Sequence, residues 1–141
     1  MKNTPFNFWQ DHSTHFLEMA LRADRHEIIA HPDGHGRRTG TCGDTVEMYL
    51  SVREDRIQSV TFQVDGCLNT SACANTVAYL AEGKIVTEGW DITPEDVVTY
   101  LETLPSNHTH CAELAVGAFY QALADYNNNQ RHPWKKLYKP R

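Results

Sequence analysis

Hydrophobic and polar residues alternate along two neighbouring segments of the chain, residues 45–52 and residues 60–65. An alternation with period two is typical of a strand that buries one of its faces. The charged residues 53–56 lie between the two segments and predict a tight turn. The pattern therefore predicts an antiparallel β-hairpin, which Gly66 and Cys67 bring to an end.

Four other segments carry apolar residues at every third or fourth position, which predicts amphipathic helices. We place these helices at residues 6–23, 69–82, 94–104 and 111–126. The first is expected to start near Asn7. The third has the clearest beginning, because Thr93 supplies an N-cap hydroxyl and Pro94 suits the first helical position. Gly83 and Pro105 are expected to end the second and third helices.

Residues 31–43 interrupt these patterns with four glycines and one proline. This composition predicts a loop that leads into the first strand. Strands come before most of the helices, which favours an α+β fold with a small antiparallel sheet of about three strands and helices packed on one face. We expect one domain over residues 1–126 and a basic, flexible tail over residues 127–141.

The composition is that of an ordinary globular domain, with 40% hydrophobic and 22% charged residues in a chain of 141. The chain contains no apolar run of the ~20 residues that a membrane helix needs, and its first residues lack the apolar stretch of a signal peptide. We therefore expect a cytoplasmic protein that does not enter membranes and whose cysteines stay reduced.

Charge is distributed unevenly along the chain. All 18 acidic residues precede position 131, whereas five of the 13 basic residues lie in the last eleven positions. The first 130 residues therefore carry a net charge of −10 and the remainder +5. Because nucleic-acid phosphates require a concentrated positive surface, we expect no nucleic-acid binding by the acidic body.

Three of the four cysteines lie where predicted elements begin: Cys42 at a loop–strand junction, and Cys67 and Cys111 at helix starts. The partial positive charge of a helix N-terminus lowers the pKa of a nearby thiol, so we expect both helix-start cysteines to be acidic. Asp44 and His110 add oxygen and nitrogen donors beside them. This mixed donor set favours zinc or an iron–sulfur cluster, although the wide spacing of the ligands makes the site dependent on the fold.

Several short motifs give these cysteines a familiar context. They are Gly-Thr-Cys-Gly-Asp at 40–44, Asp-Gly-Cys at 65–67, Leu-Pro at 104–105 and His-Cys-Ala-Glu-Leu-Ala at 110–115. In order and spacing they resemble the IscU/NifU-type iron–sulfur cluster assembly scaffolds. The likeness extends over roughly residues 31–126, which is most of the chain.

The resemblance implies a scaffold without catalytic turnover of its own, so the chain is not expected to be an enzyme. A cysteine desulfurase and an iron donor would supply the components of a labile [2Fe-2S] cluster, which then passes to acceptor apoproteins. The implied ligands are Cys42, Cys67 and Cys111, completed by Asp44 or His110. A carboxylate holds a cluster less firmly than a thiolate, which keeps the cluster transferable. Zinc is a further expected occupant of the purified protein.

The chain departs from the resembled pattern at three points. The segment 104–108 lacks the second proline and the lysine of the motif read by an Hsp70-type chaperone, which weakens the expectation of that partner. Leu68 replaces a small residue, and Cys73 replaces a small polar one. The segment between Cys67 and Cys111 also lacks the long insertion of the zinc-bound subclass, which favours the scaffold interpretation.

Other interpretations of the same residues remain open. The principal alternative is a zinc-bound persulfide acceptor that activates a cysteine desulfurase, with Cys111 as the attacking thiolate. A Cys/His/Asp hydrolase lacks a recognisable oxyanion motif, and a purely structural zinc module has no need of a carboxylate. Cys73 is expected to be a buried hydrophobic residue. The remaining histidines near the motifs are expected to be ordinary loop residues: His31, His35 and His108.

Overall fold

The computed structural model describes residues 12–131. In this range the chain forms three strands, five α-helices and one 3₁₀-helix. The strands are β1 (Gly34–Thr39), β2 (Thr45–Arg53) and β3 (Arg56–Asp65). The helices are α1 (Thr14–Leu21), α2 (Leu68–Ala81), α3 (Val86–Gly89), α4 (Pro94–Leu101), the 3₁₀-helix (Ser106–His108) and α5 (Thr109–Arg131).

The three strands form one antiparallel sheet in the order β1-β2-β3. Glu54 and Asp55, which connect β2 to β3, both have positive φ (54° and 63°), the conformation of a type I′ hairpin turn. The predicted hairpin and the predicted α+β class are thus confirmed. Helix α5 packs against β1 and β2, and α2 packs against β3.

The core lies between the sheet and these helices. Val46, Met48 and Leu50 of β2 and Val60 and Phe62 of β3 are fully buried, as the alternating pattern predicted. From the helices, the core receives mainly small residues of α2 and α5 together with Phe119 and Leu123. Small side chains let the two helices approach the sheet and each other closely.

Strand β1 corrects the prediction that residues 31–43 form a loop throughout. Gly34 and Gly36 pair with Leu50 and Met48 of β2 and are buried against α5. A Cβ at Gly36 would overlap the backbone of Ala118 and Ala122. The glycines are therefore required because the backbones of β1 and α5 meet there. The glycine content, which predicted a loop, instead reflects this close packing.

Two helix boundaries also differ from the predictions. Helix α1 begins after Ser13, whose Oγ accepts a hydrogen bond from the Phe16 N–H, so residues 12 and 13 interrupt the helix predicted for 6–23; its expected start near Asn7 lies outside the described residues. Helix α4 begins at its predicted Thr93 cap but ends at Leu101, because Glu102 has φ 65°. Leu104 is buried beyond the helix rather than within it.

The C-terminal helix α5 continues past Tyr126 to Arg131. Asn129 is buried, and its Nδ2 donates to the Asp33 carbonyl at 3.2 Å. Residues 127–131, which were predicted to belong to a flexible tail, are therefore helical, and residues 132–141 lie outside the described part of the chain. Within residues 12–131, no helix combines the length and the apolar character that crossing a membrane demands.

Candidate metal centre

Three separate segments of the chain meet at one edge of the molecule and bring the predicted site residues together. They are the turn between β1 and β2, the start of α2 after β3, and the 3₁₀-helix that leads into α5. Each segment carries one of the three predicted cysteines: Cys42, Cys67 and Cys111. The site therefore depends on sheet and helix packing.

Cys42 lies at the tip of the β1–β2 turn, and its side chain is exposed. The turn is held by two backbone hydrogen bonds, from Gly43 N to Gly40 O at 3.0 Å and from Gly40 N to Asp44 O at 2.8 Å. Gly43 has φ +93°, a conformation that disfavours other residues. The turn presents the thiol to solvent close to the Asp44 carboxylate, whose pKa the Cys42 side chain helps to lower.

Asp44 is the centre of the hydrogen bonds at this edge. Its Oδ2 accepts from the Thr70 hydroxyl at 2.7 Å and from the Cys67 backbone N–H at 3.3 Å. The Thr70 hydroxyl, ahead of the Cys67 and Cys42 groups, lowers the pKa of the carboxyl despite partial burial. Gly66 packs so closely on Asp44 that a Cβ there would overlap the carboxylate. Asp44 is thus a carboxylate anchored to α2.

Cys67 is the N-cap residue of α2, as predicted, and its thiol is exposed. Burial opposes ionisation, but the Thr70 hydroxyl, 3.5 Å from the Cys67 Sγ, and the backbone N–H groups of Thr70 and Asn69 outweigh it and lower the pKa of the thiol. The backbone N–H groups at the helix N-terminus therefore favour a thiolate here.

Cys111 corrects the prediction that both helix-start thiols are acidic. It lies in the first turn of α5 and is completely buried. Burial raises the pKa of its thiol to about 11, although the Thr70 hydroxyl, 3.3 Å from the Cys111 Sγ, opposes the shift. Desolvation therefore outweighs the position at the helix start, and Cys67 is the more acidic of the two thiols.

Two histidines approach the Cys111 thiol. His108 Nδ1 lies 3.9 Å and His110 Nε2 lies 3.7 Å from the Cys111 Sγ. Donor atoms of Cys67, His108 and Cys111 all lie within 4.8 Å of one another. Among the residues that the structure describes, this is the one group of three metal-binding side chains at such spacing.

Sequence reasoning missed the roles of His108 and Thr70, although a signal for each was present. His108 precedes Cys111 by three positions, and Thr70 follows Cys67 by three, so helical geometry places each pair on the same side. The Thr70 hydroxyl lies within donating distance of both the Asp44 carboxylate, at 2.7 Å, and the Cys111 Sγ, at 3.3 Å. Because a hydroxyl has a single proton, it can donate to only one of them at a time.

Three other candidate residues do not belong to this group of donors. Cys73 is fully buried, which raises the pKa of its thiol well above the ordinary value and agrees with its predicted role in the core. His35 points to the opposite face of β1 from Gly34 and Gly36, and its Nε2 lies 2.6 Å from a Glu47 carboxylate oxygen. His31 precedes β1, whereas Cys42 follows it.

The donor set at this edge fits a borderline or soft metal. Thiolates and imidazole suit zinc and iron, while a single carboxylate is a harder and weaker ligand for both. Cys42 and Cys67 are exposed and Cys111 forms the floor, so that the site is open on one side. An open site permits exchange of what it holds, in contrast to a closed structural zinc site.

Comparison with known proteins adds a family context. A family model described as the NifU-like N terminal domain matches residues 29–133. The chain is 35% identical over 85 residues to the "iron-sulfur cluster assembly scaffold protein IscU 1" of Archaeoglobus fulgidus; the match covers 60% of this chain and 56% of that relative. It is 31% identical over 90 residues to the corresponding IscU of Escherichia coli, covering 63% of this chain and 70% of that protein.

Solved structures share the fold at lower identity. A NifU-like N-terminal protein from Brucella abortus superposes with a TM-score of 0.68 at 18% identity, covering 82% of this chain and 94% of that one. A putative scaffold protein for the SUF system from Fervidobacterium islandicum gives a TM-score of 0.67 at 18% identity, covering 79% and 95%. At this identity the likeness concerns the fold.

Proposed function

Because the chain belongs to the NifU-like N-terminal domain family, we propose that it is a scaffold that assembles a labile iron–sulfur cluster and transfers it to acceptor apoproteins. The observation that carries the proposal is the meeting of Cys42, Asp44, Cys67 and Cys111 at one open edge. The cluster is the cargo of this protein rather than its resident cofactor.

The three cysteines approach the proposed cluster from different environments. Cys111 supplies a thiol from the buried floor, whereas Cys67 and Cys42 approach from exposed positions. Iron–sulfur clusters are held by thiolates, and an exposed cluster is accessible to an acceptor protein. We assign these three residues as ligands of a [2Fe-2S] cluster.

Asp44 is the proposed fourth ligand and the source of lability. Its carboxylate already faces the thiols of Cys42 and Cys67, and its lowered pKa keeps it ionised at neutral pH. An oxygen ligand binds iron of the cluster less firmly than a fourth thiolate does. His110, with Nε2 3.7 Å from the Cys111 Sγ, is the competing fourth ligand.

Sulfur delivery uses the chemistry of thiol exchange. A thiolate of the scaffold attacks the outer sulfur of a persulfide on a cysteine desulfurase, forms a persulfide on the scaffold and releases the desulfurase thiolate. Two electrons from a reductant then convert this sulfane sulfur to sulfide. Among the site thiols with a shifted pKa, Cys67 is the one shifted downward, so it is better suited to the attack than the buried Cys111.

The proposed partners follow from this role. They are a cysteine desulfurase, an iron donor and acceptor apoproteins, in a cytoplasmic setting. The protein itself has no catalytic turnover. The segment 104–108, which lacks the second proline and the lysine, does not support recognition by an Hsp70-type chaperone.

A second candidate function is a zinc-bound persulfide acceptor that activates the desulfurase. The grouping of Cys67, His108 and Cys111 within 4.8 Å favours it, since two thiolates and an imidazole suit zinc. The two functions differ at Asp44→Ala. A scaffold loses its weakest ligand and retains the cluster longer, whereas a zinc relay loses a ligand and releases its metal more readily.

The test is anaerobic reconstitution of metal-free protein with ferrous iron, cysteine and a desulfurase. We expect sulfide-to-iron charge-transfer absorption with acid-labile sulfide equimolar to iron, abolished in Cys42→Ser, Cys67→Ser and Cys111→Ser. Cys73→Ala is the matched control, because Cys73 is fully buried in the core and is not one of the proposed ligands, and it should load normally. Two results together would favour the relay. The purified protein would hold zinc tightly, and no charge-transfer bands would form on reconstitution even after the zinc has been removed by a chelator.

A further inference from the structure

Thr70 is a buried polar side chain that lies among the proposed cluster ligands without being one of them. It occupies the first turn of α2, three positions after Cys67, and is completely buried. Its hydroxyl oxygen lies near three of the four proposed ligands: 2.7 Å from Asp44 Oδ2, 3.3 Å from Cys111 Sγ and 3.5 Å from Cys67 Sγ. The equally buried Thr76, by contrast, donates to a carbonyl of its own helix. The contacts of the Thr70 hydroxyl therefore belong to the site rather than to the helix.

The Thr70 hydroxyl has more acceptors within reach than it has protons. It donates to one group at a time, and the Asp44 carboxylate is the strongest acceptor in the metal-free protein because it is charged and lies nearest. Cys111 Sγ is the alternative acceptor, which the proton reaches by rotating about the Cβ–Oγ bond of Thr70. A change in the bonding of Asp44 therefore changes the hydrogen bond that Cys111 receives.

Two donors hold the Asp44 carboxylate by the same oxygen atom. Oδ2 accepts from the Thr70 hydroxyl at 2.7 Å and from the Cys67 backbone N–H at 3.3 Å. Hydrogen bonds of this kind stabilise the free carboxylate, so they compete with a metal ion for its negative charge. Thr70 therefore gives Asp44 an alternative to binding iron.

Packing keeps Asp44 next to Thr70. Gly66 lies against the carboxylate, and a Cβ added at Gly66 would come within 2.5 Å of Asp44 Oδ2. Thr70 is fixed by the first turn of α2, in which the backbone N–H groups of Thr70 and Ser71 donate to the Cys67 carbonyl at 3.1 and 3.2 Å. Because both partners are already oriented, the bond between them re-forms with little loss of conformational entropy.

We propose that Thr70 is a positioning residue that competes with iron for the Asp44 carboxylate and so sets how readily the cluster is released. While Asp44 binds iron, the Thr70 hydroxyl donates to the ligating sulfur of Cys111. When Asp44 leaves iron, the hydroxyl returns to the carboxylate and stabilises the released state. The exchange breaks the bond between Asp44 and iron and reorients one hydroxyl, and it transfers no proton or electron. This role rests on the proposed function, because it requires a cluster with Asp44 as a ligand.

Cluster transfer to a [2Fe-2S] apoferredoxin tests the competition directly. Thr70→Val keeps the shape of the side chain and removes the hydroxyl, so Asp44 should stay on iron and transfer should slow. The loss of one hydrogen bond to a charged group corresponds to a change of at least about tenfold, which is the slowing that we expect. Thr70→Ser retains a hydroxyl and should transfer the cluster at close to the wild-type rate. Thr76→Val is the matched control and should transfer as the wild type does.

The reduction potential of the reconstituted cluster is a readout that a merely structural role of Thr70 would not move. A hydrogen bond to a ligating sulfur stabilises the more negative, reduced cluster and so raises its potential. The potential should therefore be lower in Thr70→Val than in the wild type, and Thr70→Ser should restore it. Urea unfolding of each variant identifies losses caused by misfolding. Thr70→Ala, a smaller variant without the hydroxyl, should change transfer and potential in the same direction as Thr70→Val.

A double-mutant cycle shows whether Thr70 acts through Asp44. Asp44→Ala removes the group for which Thr70 competes, so adding Thr70→Val should slow transfer no further. Wild-type transfer from folded Thr70→Val and Thr70→Ala, or additive slowing in the double variant, would overturn the role of Thr70 and leave the scaffold function intact. A wild-type protein that forms no cluster would instead contradict the scaffold function and, with it, the role of Thr70.

Discussion

The three site thiols differ in environment, and the difference decides which of them reacts. Cys67 is exposed, and hydrogen bonds from the start of α2 lower its thiol pKa. Cys111 is buried, with its thiol pKa raised to about 11. One residue is therefore prepared to act as a thiolate in the metal-free protein, and the other becomes a ligand only when a metal ion displaces its proton.

This difference predicts the order of alkylation. In metal-free protein at about pH 8, iodoacetamide should modify Cys67 at least about tenfold faster than Cys111, since the thiolate is the nucleophile. Cys73, fully buried with a strongly raised thiol pKa, should stay unmodified until the protein unfolds. Peptide mass spectrometry over time gives each rate. Equal rates for Cys67 and Cys111 would contradict the environments described here.

Thr70 connects the carboxylate to the thiols, which leads to a second prediction. Thr70→Val keeps the shape of the side chain but removes the donor to Asp44, and should lower the free energy of unfolding by about 1 kcal/mol, a value reduced by the partial exposure of Asp44. Urea unfolding of metal-free protein measures the loss.

Thr76→Val is the matched control for Thr70→Val. Thr76 is also buried on α2, but its hydroxyl donates to the Ala72 carbonyl of its own helix at 2.8 Å. Its loss leaves no charged group unpaired, so we expect a smaller change. Equal losses in the two variants would show that the bond to Asp44 contributes nothing specific.

How far these residues are predictable from sequence depends on whether their roles are local. The position of Cys67 at a helix N-cap is local and was predicted. The burial of Cys111 depends on α2 and the sheet packing around α5, so the thiol pKa could not be predicted from the position at a helix start. His108 was missed because histidines in loops are common and its neighbours come from a different segment.

At the level of elements, the contact between β1 and α5 positions the turn that carries Cys42. Gly36 leaves room for the α5 backbone at Ala118 and Ala122. Gly36→Ala should force the two elements apart and lower the free energy of unfolding by about 1–3 kcal/mol, as overpacked sites do. Urea unfolding measures this.

Gly43→Ala provides a control outside the contact between β1 and α5. Gly43→Ala changes a glycine of the turn whose Cβ would meet nothing, so its cost is limited to the strained φ of +93°. Strain in a left-handed residue costs on the order of 1 kcal/mol. If Gly36→Ala is no more destabilising than Gly43→Ala, the close approach of β1 and α5 is not a constraint.

The contact between β1 and α5 explains why β1 was not predicted from the sequence, whereas other elements were. The β2–β3 hairpin and helices α2 and α5 carry periodic apolar residues, so their patterns were sufficient. Strand β1 has glycines where other strands have apolar side chains, because its partner is a helix backbone. The end of α4 depends on one residue, Glu102 with positive φ, which has no clear local signal.

At the level of the whole molecule, an ion pair between buried Arg25 and half-buried Glu82 connects the segment after α1 to the end of α2 and to β3. Arg25 is buried and donates to Asn75 Oδ1 at 2.7 Å and to Glu82 Oε1 at 2.8 Å. Glu82 Oε2 also accepts from Val60 N at 3.2 Å. These bonds tie α2, which carries Cys67 and Thr70, to the sheet.

Removal of Arg25 should therefore be costly. Arg25→Ala leaves the Glu82 carboxylate and the Asn75 amide without their cation, and we expect a loss of about 3 kcal/mol in unfolding free energy. Arg22→Ala is the control, because Arg22 pairs with the exposed Asp24 and such surface pairs contribute about 0–1 kcal/mol. Similar losses in the two variants would contradict the role given to the pair of Arg25 and Glu82.

The central claim is that the edge formed by Cys42, Asp44, Cys67 and Cys111 binds an iron–sulfur cluster weakly enough to transfer it to an acceptor protein. The most direct measurement is transfer from reconstituted protein to a [2Fe-2S] apoferredoxin in the presence of an iron chelator, followed by the circular dichroism of the acceptor. We predict complete transfer from the wild type and markedly slower transfer from Asp44→Ala. A cluster that stays on the wild-type protein, or one that the chelator captures before the acceptor receives it, would contradict the account.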